Sequence, residues 1–151
     1  MKRDTPLHLW VVLARAFDAV ERQSRASIAR FGLGTTEFGV LEVLYHKGEL
    51  PVCEVQRRIL VVSSSTTYVV DKLRERGLVR RRHSDADRRV TLLTLTAAGR
   101  RLIRRVFPPH AAAMRYAVGA LPPREQAQAI RLLRALGLGA VQRGKSAAKG
   151  S

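Results

Sequence analysis

The chain has 151 residues, 46% of them hydrophobic, which suffices for one domain with a core, or one domain plus a dimerisation element. Its 28 lysines and arginines against 12 acidic residues leave a formal net charge of +16, so polyanions are the natural partners: nucleic acid, or an anionic membrane surface. No apolar run approaches the roughly 18 residues of a membrane span, one cysteine excludes an intrachain disulfide framework, and no signal-peptide cleavage pattern follows the first apolar stretch, so a soluble, cytoplasmic protein is expected.

Residues 5–31 read as a first helix. Leu7, Trp10, Leu13, Phe17 and Val20 form one stripe, and Leu9, Val12, Ala16 and Ala19 a second. A helix apolar on two sides must be covered on two sides, and in so short a chain a second subunit is the expected cover. Gly32 and Gly34 punctuate the next turn, after which Thr35 or Thr36 is predicted to cap a helix over Glu37–His46. Glu37 in its first turn suits the positive end of the helix dipole. Pro51 stands before or at the first position of a third helix, Val52–Leu60, with Val52, Val55 and Ile59 turned to the core.

A turn at 61–63 then leads into a fourth helix. Ser63 or Ser64 can cap it, Thr67, Val70 and Leu73 recur at three-residue steps, and Gly77 ends it, since glycine enters the left-handed C′ position without strain. Two helices joined by so short a turn make a helix-turn-helix, whose second member normally enters the major groove. Ser63, Ser64, Ser65, Thr66, Tyr68 and Lys72 are its candidate DNA contacts, because small hydroxyls, a phenol and a lysine suit phosphates and base edges. Two short strands are predicted over Leu78–His83 and Arg89–Leu95, with the polar loop SDADR between them. In the second, Thr91, Leu93 and Leu95 share one face. Helix, strand, tight polar loop, strand is a winged-helix signature.

Thr96-Ala-Ala-Gly opens a long helix. Pro108-Pro109 is predicted to break or kink it, with a restart over His110–Leu121. Pro122-Pro123 opens a last helix, with Ala127, Ile130, Leu133 and Leu136 on one face and Gly137 and Gly139 at its end. The basic tail, residues 143–151, is predicted to be disordered. The fold class expected is therefore mostly α with a small β-wing: a winged helix-turn-helix lobe over 34–96, flanked by dimerisation helices over 5–31 and 97–138 in a single domain, 1–142.

Catalytic constellations are missing. His8, His46, His83 and His110 show no metal-ligand spacing, and there is no GxGxxG, P-loop or G-x-S-x-G elbow. The triple serine at 63–65 reads as a helix start beside DNA rather than a nucleophile, since no base has a defined relation to it. Cys53, near the start of the third helix, reads as a small buried or half-buried side chain rather than a redox sensor. Trp10, Phe17, Phe38, Tyr45 and His46 are candidates to line a pocket for a planar phenolic ligand, with an aromatic core as the bland alternative.

Three pieces carry a family likeness: TEFGVLEVLYHKG (36–48), VVDKLRERGLVRR (69–81) and DRRVTLLTLTAAG (87–99), the last resembling a D-x-R…L-T-x-x-G signature. In this order and spacing they resemble the MarR family of bacterial transcription regulators, over about residues 7–138. Together with LVVSSSTTYVVDKL and FPPH, the first piece is most similar to the family's quinone- and phenol-responsive branch. The resemblance implies a wing-tip arginine, Arg88, for the minor groove, and a salt bridge between Asp71 and Arg89 that orients the wing. It further implies a homodimer on double-stranded DNA and a nucleoid-associated bacterial protein. The expected function is a sequence-specific repressor released from a palindromic operator by a small aromatic effector, phenolic or quinone-like, with no cofactor, no metal and no membrane partner. A sequence-blind nucleic-acid-coating protein and an enzyme acting on a phenolic compound are the rivals.

Overall fold

The computed structural model describes residues 4–59 and 65–149. Its elements are α1 (Thr5–Ala29), α2 (Thr35–Lys47), β1 (Leu50–Pro51), α3 (Val52–Arg58), α4 (Thr66–Glu75), β2 (Val79–His83), β3 (Thr91–Leu95), α5 (Ala97–Val118) and α6 (Pro123–Lys149). The chain divides into two compact units, Met1–Met114 and Arg115–Ser151.

In the first unit, a three-stranded antiparallel sheet of order β1-β3-β2 closes onto α2 and α4. The β2–β3 hairpin runs from Val79 opposite Leu95 to His83 opposite Thr91, and Pro51 of β1 lies opposite Leu92. Leu93 and Leu95 of β3 point inward, as their alternation requires, and join Leu41, Leu44, Val55, Val70, Leu73 and Ile103 in one core. Burial of such side chains is worth about 1.5–3 kcal/mol each, which is what holds these short helices together.

Two glycines are demanded by geometry. Gly77, at φ +68°, turns the chain out of α4 as expected. Gly99 lies so close to the preceding connection that an added Cβ would stand 2.0 Å from the carbonyl oxygen of Leu78. Thr96 seals the same junction: its N–H donates to Leu78 O (3.1 Å), its hydroxyl donates to Gly77 O (2.6 Å), and that hydroxyl accepts the Gly99 N–H (3.0 Å).

Several expectations are corrected. The cap of α2 is Gly34, with Thr35 and Thr36 already inside the helix; Glu37 accepts the Gly34 N–H at 2.8 Å and so supplies the capping bond from the third position. The fourth helix begins at Thr66, after Ser65, whose side chain makes no cap bond; the predicted caps Ser63 and Ser64 lie outside the described residues. Its inward stripe is Thr66, Val69, Val70 and Leu73, so Thr67 is exposed, one residue and about 100° off the expected phase.

Pro108 and Pro109 do not break α5, which is continuous from Ala97 to Val118. The carbonyls that lose their donors belong to Arg104 and Arg105, both exposed, so water can satisfy them. Buried Val106 and His110 pin the helix on either side of the prolines. Likewise Gly137 and Gly139 do not end α6, and residues 143–149 are helical rather than disordered. Neither glycine has positive φ, and Leu138, Ala140, Gln142 and Arg143 propagate a helix that is already nucleated.

Candidate nucleic-acid interface and effector cavity

The outward face of α4 carries Ser65, Tyr68 and Lys72 at helical spacing, with Tyr68 65% exposed. Beside it, α3, α4 and the hairpin enclose an open groove of about 690 Å³, lined by Gln56, Thr67, Arg81, Arg82, His83 and Arg89 among others. An arginine-rich groove next to an exposed helix face suits a phosphate backbone that tracks past a recognition helix. Arg88 is exposed in the loop between β2 and β3 and, among the described residues, forms no ion pair, so its guanidinium is free for a ligand.

Three expected sites change place. Thr66 is buried at 4% exposure and turned inward, so it is not available to DNA; Thr67 takes its position on the groove. Cys53 is exposed on the groove side, one residue off the inward Val52–Val55–Ile59 stripe, and not buried or half-buried. The wing-orienting bridge does not join Asp71 to Arg89. Asp71 instead binds Arg81 of β2 at 2.8 Å, with Arg74 at 3.8 Å. Arg89 folds back on Asp87, through its backbone N–H (3.0 Å) and its guanidinium (3.1 Å), which holds the Asp87 carboxyl below its usual range. A contact two residues away in sequence needs far less ordering than one to another element, so Arg89 closes its own loop.

The tie between recognition helix and wing is thus Asp71–Arg81. Both groups are partly exposed, and Arg81 Nε is buried without a partner. Asp71→Ala and Arg81→Ala should each weaken operator binding, and the double variant should be little worse than either, with a coupling of about 1 kcal/mol. Arg89→Ala should combine additively with Asp71→Ala. A double-mutant cycle on DNA affinity that shows coupling to Arg89 and none to Arg81 would reverse this assignment.

A second tie is absent from the sequence-based expectations. The Glu37 carboxylate, 5% exposed as a residue, accepts Lys72 Nζ (3.2 Å) of α4 and Arg76 Nη1 (3.1 Å) of its C-cap as well as the Gly34 N–H. Burial pushes its pKa up, but the Gly34 bond and the two cations outweigh that and hold it below 4.5. Lys72 is therefore partly committed to α2 rather than free for phosphate. The sequence signal was present: an acid at the third position of a helix, opposite a helix ending in Lys72-x-x-x-Arg76.

Of the five aromatic candidates for a pocket, Phe38 lines a cavity beside α1 and α5. Trp10 and Phe17 are 65% and 58% exposed on α1, while Tyr45 and His46 pack against Phe107, with His46 and Phe107 centroids 4.8 Å apart. The cavity, about 290 Å³, is bounded by Ser24, Phe38, Gly39, Glu42, Arg58, Ile59, His110 and Met114. His110 is its polar centre. The Ser27 hydroxyl oxygen lies 2.7 Å from Ser24 O and 2.8 Å from His110 Nδ1; with its proton given to Ser24 O, it serves as the acceptor for an Nδ1–H. Burial lowers the His110 pKa, which favours the neutral ring, and with Nδ1 protonated Nε2 is an acceptor. Phe38 packs on the imidazole at a centroid distance of 4.4 Å. Glu42, its pKa raised by burial, adds a second polar group.

The MarR family model matches residues 33–91, the helix-turn-helix and most of the wing. The HTH-type transcriptional regulator MhqR of Bacillus subtilis is 40% identical over 136 residues, covering 90% of this chain and 94% of that one. The chain belongs to the MarR family. Among solved structures, Sco3205 of Streptomyces coelicolor, a MarR family regulator in complex with DNA, is 26% identical with a TM-score of 0.79 over 88% of this chain and 86% of that one. BpsR of Bordetella bronchiseptica, whose DNA binding is regulated by 6-hydroxynicotinic acid, is 28% identical with a TM-score of 0.74 over 83% and 90%. This MarR protein is a DNA-binding transcriptional regulator and not an enzyme, and it acts on double-stranded DNA as a dimer, as members of its family do. Each unit leaves large apolar side chains exposed: Leu7, Trp10, Val11 and Phe17 on α1, and Ile130, Leu133, Leu136 and Val141 on α6. Among the described residues, no helix is long and apolar enough to cross a membrane, and no cluster of His, Cys, Asp and Glu could hold a metal.

Proposed function

We propose that this MarR regulator is a cytoplasmic, nucleoid-associated repressor that leaves a palindromic operator when a small aromatic hydroxyl compound, phenolic or hydroquinone-like, enters the cavity at His110. The observation that carries the reading is the buried Ser27–His110 hydrogen bond at the cavity. With the His110 Nδ1–H given to Ser27, Nε2 is an acceptor for a ligand hydroxyl, with Phe38 against the ring and an apolar wall at Ile59 and Met114. The similarity to BpsR, which responds to a hydroxylated aromatic acid, supports that ligand class. Tyr68, Ser65 and Arg88 are the residues proposed to reach DNA, with Ser63 and Ser64 beside them in sequence.

The cavity lies between α1, α2, α3 and α5, where helices of the helix-turn-helix lobe meet α1 and α5. A two-fold dimer reads two half-sites about 34 Å apart. A ligand that binds one spacing of the two recognition helices more tightly than another shifts the population away from DNA, by no more than that difference in affinity. Genomic fragments selected on the protein should yield one palindrome, preferred over bulk DNA by about 10³-fold or more. Phenols, hydroquinones and hydroxypyridine acids would then be tested for release. His110→Leu is expected to keep operator affinity within about threefold and to raise the ligand concentration for release at least tenfold. Undiminished release from that variant would place the effector elsewhere, and equal affinity for all DNA would remove the operator.

A further inference from the structure

Most acidic side chains of the first unit are committed. Among the described residues, Asp18, Glu21, Glu37, Glu49, Glu54, Asp71, Asp85 and Asp87 each hold an arginine or lysine. Helix α5 stands apart. From Ala97 to Val118 it contains no acidic residue, yet Arg100, Arg101, Arg104 and Arg105 follow within its first three turns. At about 100° per residue these four fall within about 140° of one another, opposite the buried Gly99, Ile103 and Val106. All four are exposed, and among the described residues none forms an ion pair. Arg101 and Arg105 flank a shallow depression with Ala98 and Leu102.

Four like charges on one helical face repel one another unless a polyanion covers them. A second copy of the chain is a poor cover: it carries +16, and eight of its 12 acidic residues already hold a cation. The helix that carries the stripe starts next to the DNA-binding lobe: Thr96, the residue before α5, is hydrogen-bonded to Gly77 and Leu78 in the turn after α4. Arg101 and Arg105 are four residues apart, about 6 Å of helix, which is comparable with the spacing of neighbouring phosphates along one strand.

We infer that the arginine face of α5 is a second phosphate-contact surface, which binds DNA backbone beyond the base pairs read by α4 and the wing. The inference rests on DNA binding by the regulator and is independent of the effector. Phosphate contacts carry no sequence information, so this surface adds affinity for operator and unrelated DNA alike.

The test is an Arg101→Gln/Arg105→Gln double variant of the full chain, titrated with the operator alone, with the operator extended on both sides, and with unrelated duplex, at several salt concentrations. The parent protein in the same titrations tests DNA binding itself. For the variant, the log–log salt slope on extended duplex should fall by about 0.9 per lost contact, nearly 2 per protomer. Operator and unrelated DNA should weaken by the same factor, and the gain from flanking sequence should disappear. Arg101→Lys/Arg105→Lys, which keeps the charges, should restore most of the loss. An unchanged slope and affinity in a variant that sediments as the parent dimer would overturn the inference. So would a variant that sediments as a monomer, because the face would then be an interface between copies.

Discussion

Gly99→Ala should lower stability by about 3 kcal/mol, although alanine is the better helix former. Helix propensity alone favours the substitution by about 1 kcal/mol. Against it stands a methyl group placed 2.0 Å from Leu78 O, an atom of the backbone that no rotamer change can move aside. Relief requires α5 to lift from the Gly77–Leu78 turn, which breaks the Thr96 N–H bond to Leu78 O and unpacks Ile103. Overpacking of this kind costs about 1–3 kcal/mol and sometimes more, before the lost bonds are counted. In a chain of this size that corresponds to a fall in Tm of roughly 10 °C. Ala98→Gly is the control, because it removes propensity next door without a clash and should cost about 1 kcal/mol. A Gly99→Ala protein melting at or above the parent temperature would show that the close approach is not a constraint.

Glu37→Gln should weaken operator binding about tenfold while the protein remains folded. The amide keeps an acceptor for the Gly34 N–H, so the cap of α2 survives. What it loses is the charge that draws Lys72 and Arg76 of the recognition helix onto α2. Charge-assisted hydrogen bonds are worth about 1.5–3 kcal/mol, and solvent around the half-exposed cations brings this toward the lower bound. The two released cations can then neutralise phosphates, so the salt slope should steepen even as the operator is bound less well. Affinity for unrelated DNA should hold or rise. Loss of affinity with an unchanged slope would mean that Glu37 acts only through the fold. The pH dependence has a definite sign. The folded pKa of Glu37 lies below 4.5, so its stabilisation is present above that value and is lost as pH falls through the folded pKa. The glutamine variant should lack that part of the acid destabilisation.

Local chemistry made most of the fold legible from residues alone. Gly77, the alternation of Leu93 and Leu95, and Pro51 at the entry to α3 each act on their own neighbours, so their consequences can be written down from sequence. In the recognition helix Val70 and Leu73 face the core as expected, but the stripe starts at Thr66 rather than Thr67, which exchanges the two threonines at the groove. Its true stripe closes at Val69 and Val70 together, a spacing that three-residue steps pass over. The partner of Asp71 was a different kind of miss. In the run Val79–His83, alternation puts Arg81 on the same face as buried Val79 and hence toward α4, while Arg89 has an acid two residues away. Both facts are in the sequence, but choosing between the arginines needs the strand's position against the helix. The cavity at His110 was the least accessible feature. Its central hydrogen bond joins Ser27 to His110, 83 residues apart, and His110 follows two prolines that argue locally against the continuous helix that carries it.

The sheet has one further consequence, for what happens when many copies are crowded together. An open three-stranded sheet has two edges, and each is a template onto which another chain's strand could add. Here one edge is β1, two residues long, and its Pro51 has no N–H to donate. The other edge is β2, with Arg80, Arg81 and Arg82 in succession, so an incoming copy would set its arginines against them. One boundary is too short and too poor in donors to recruit a strand, and the other repels its own kind. The same arginines that suit the wing to DNA therefore keep neighbouring wings from joining into fibres.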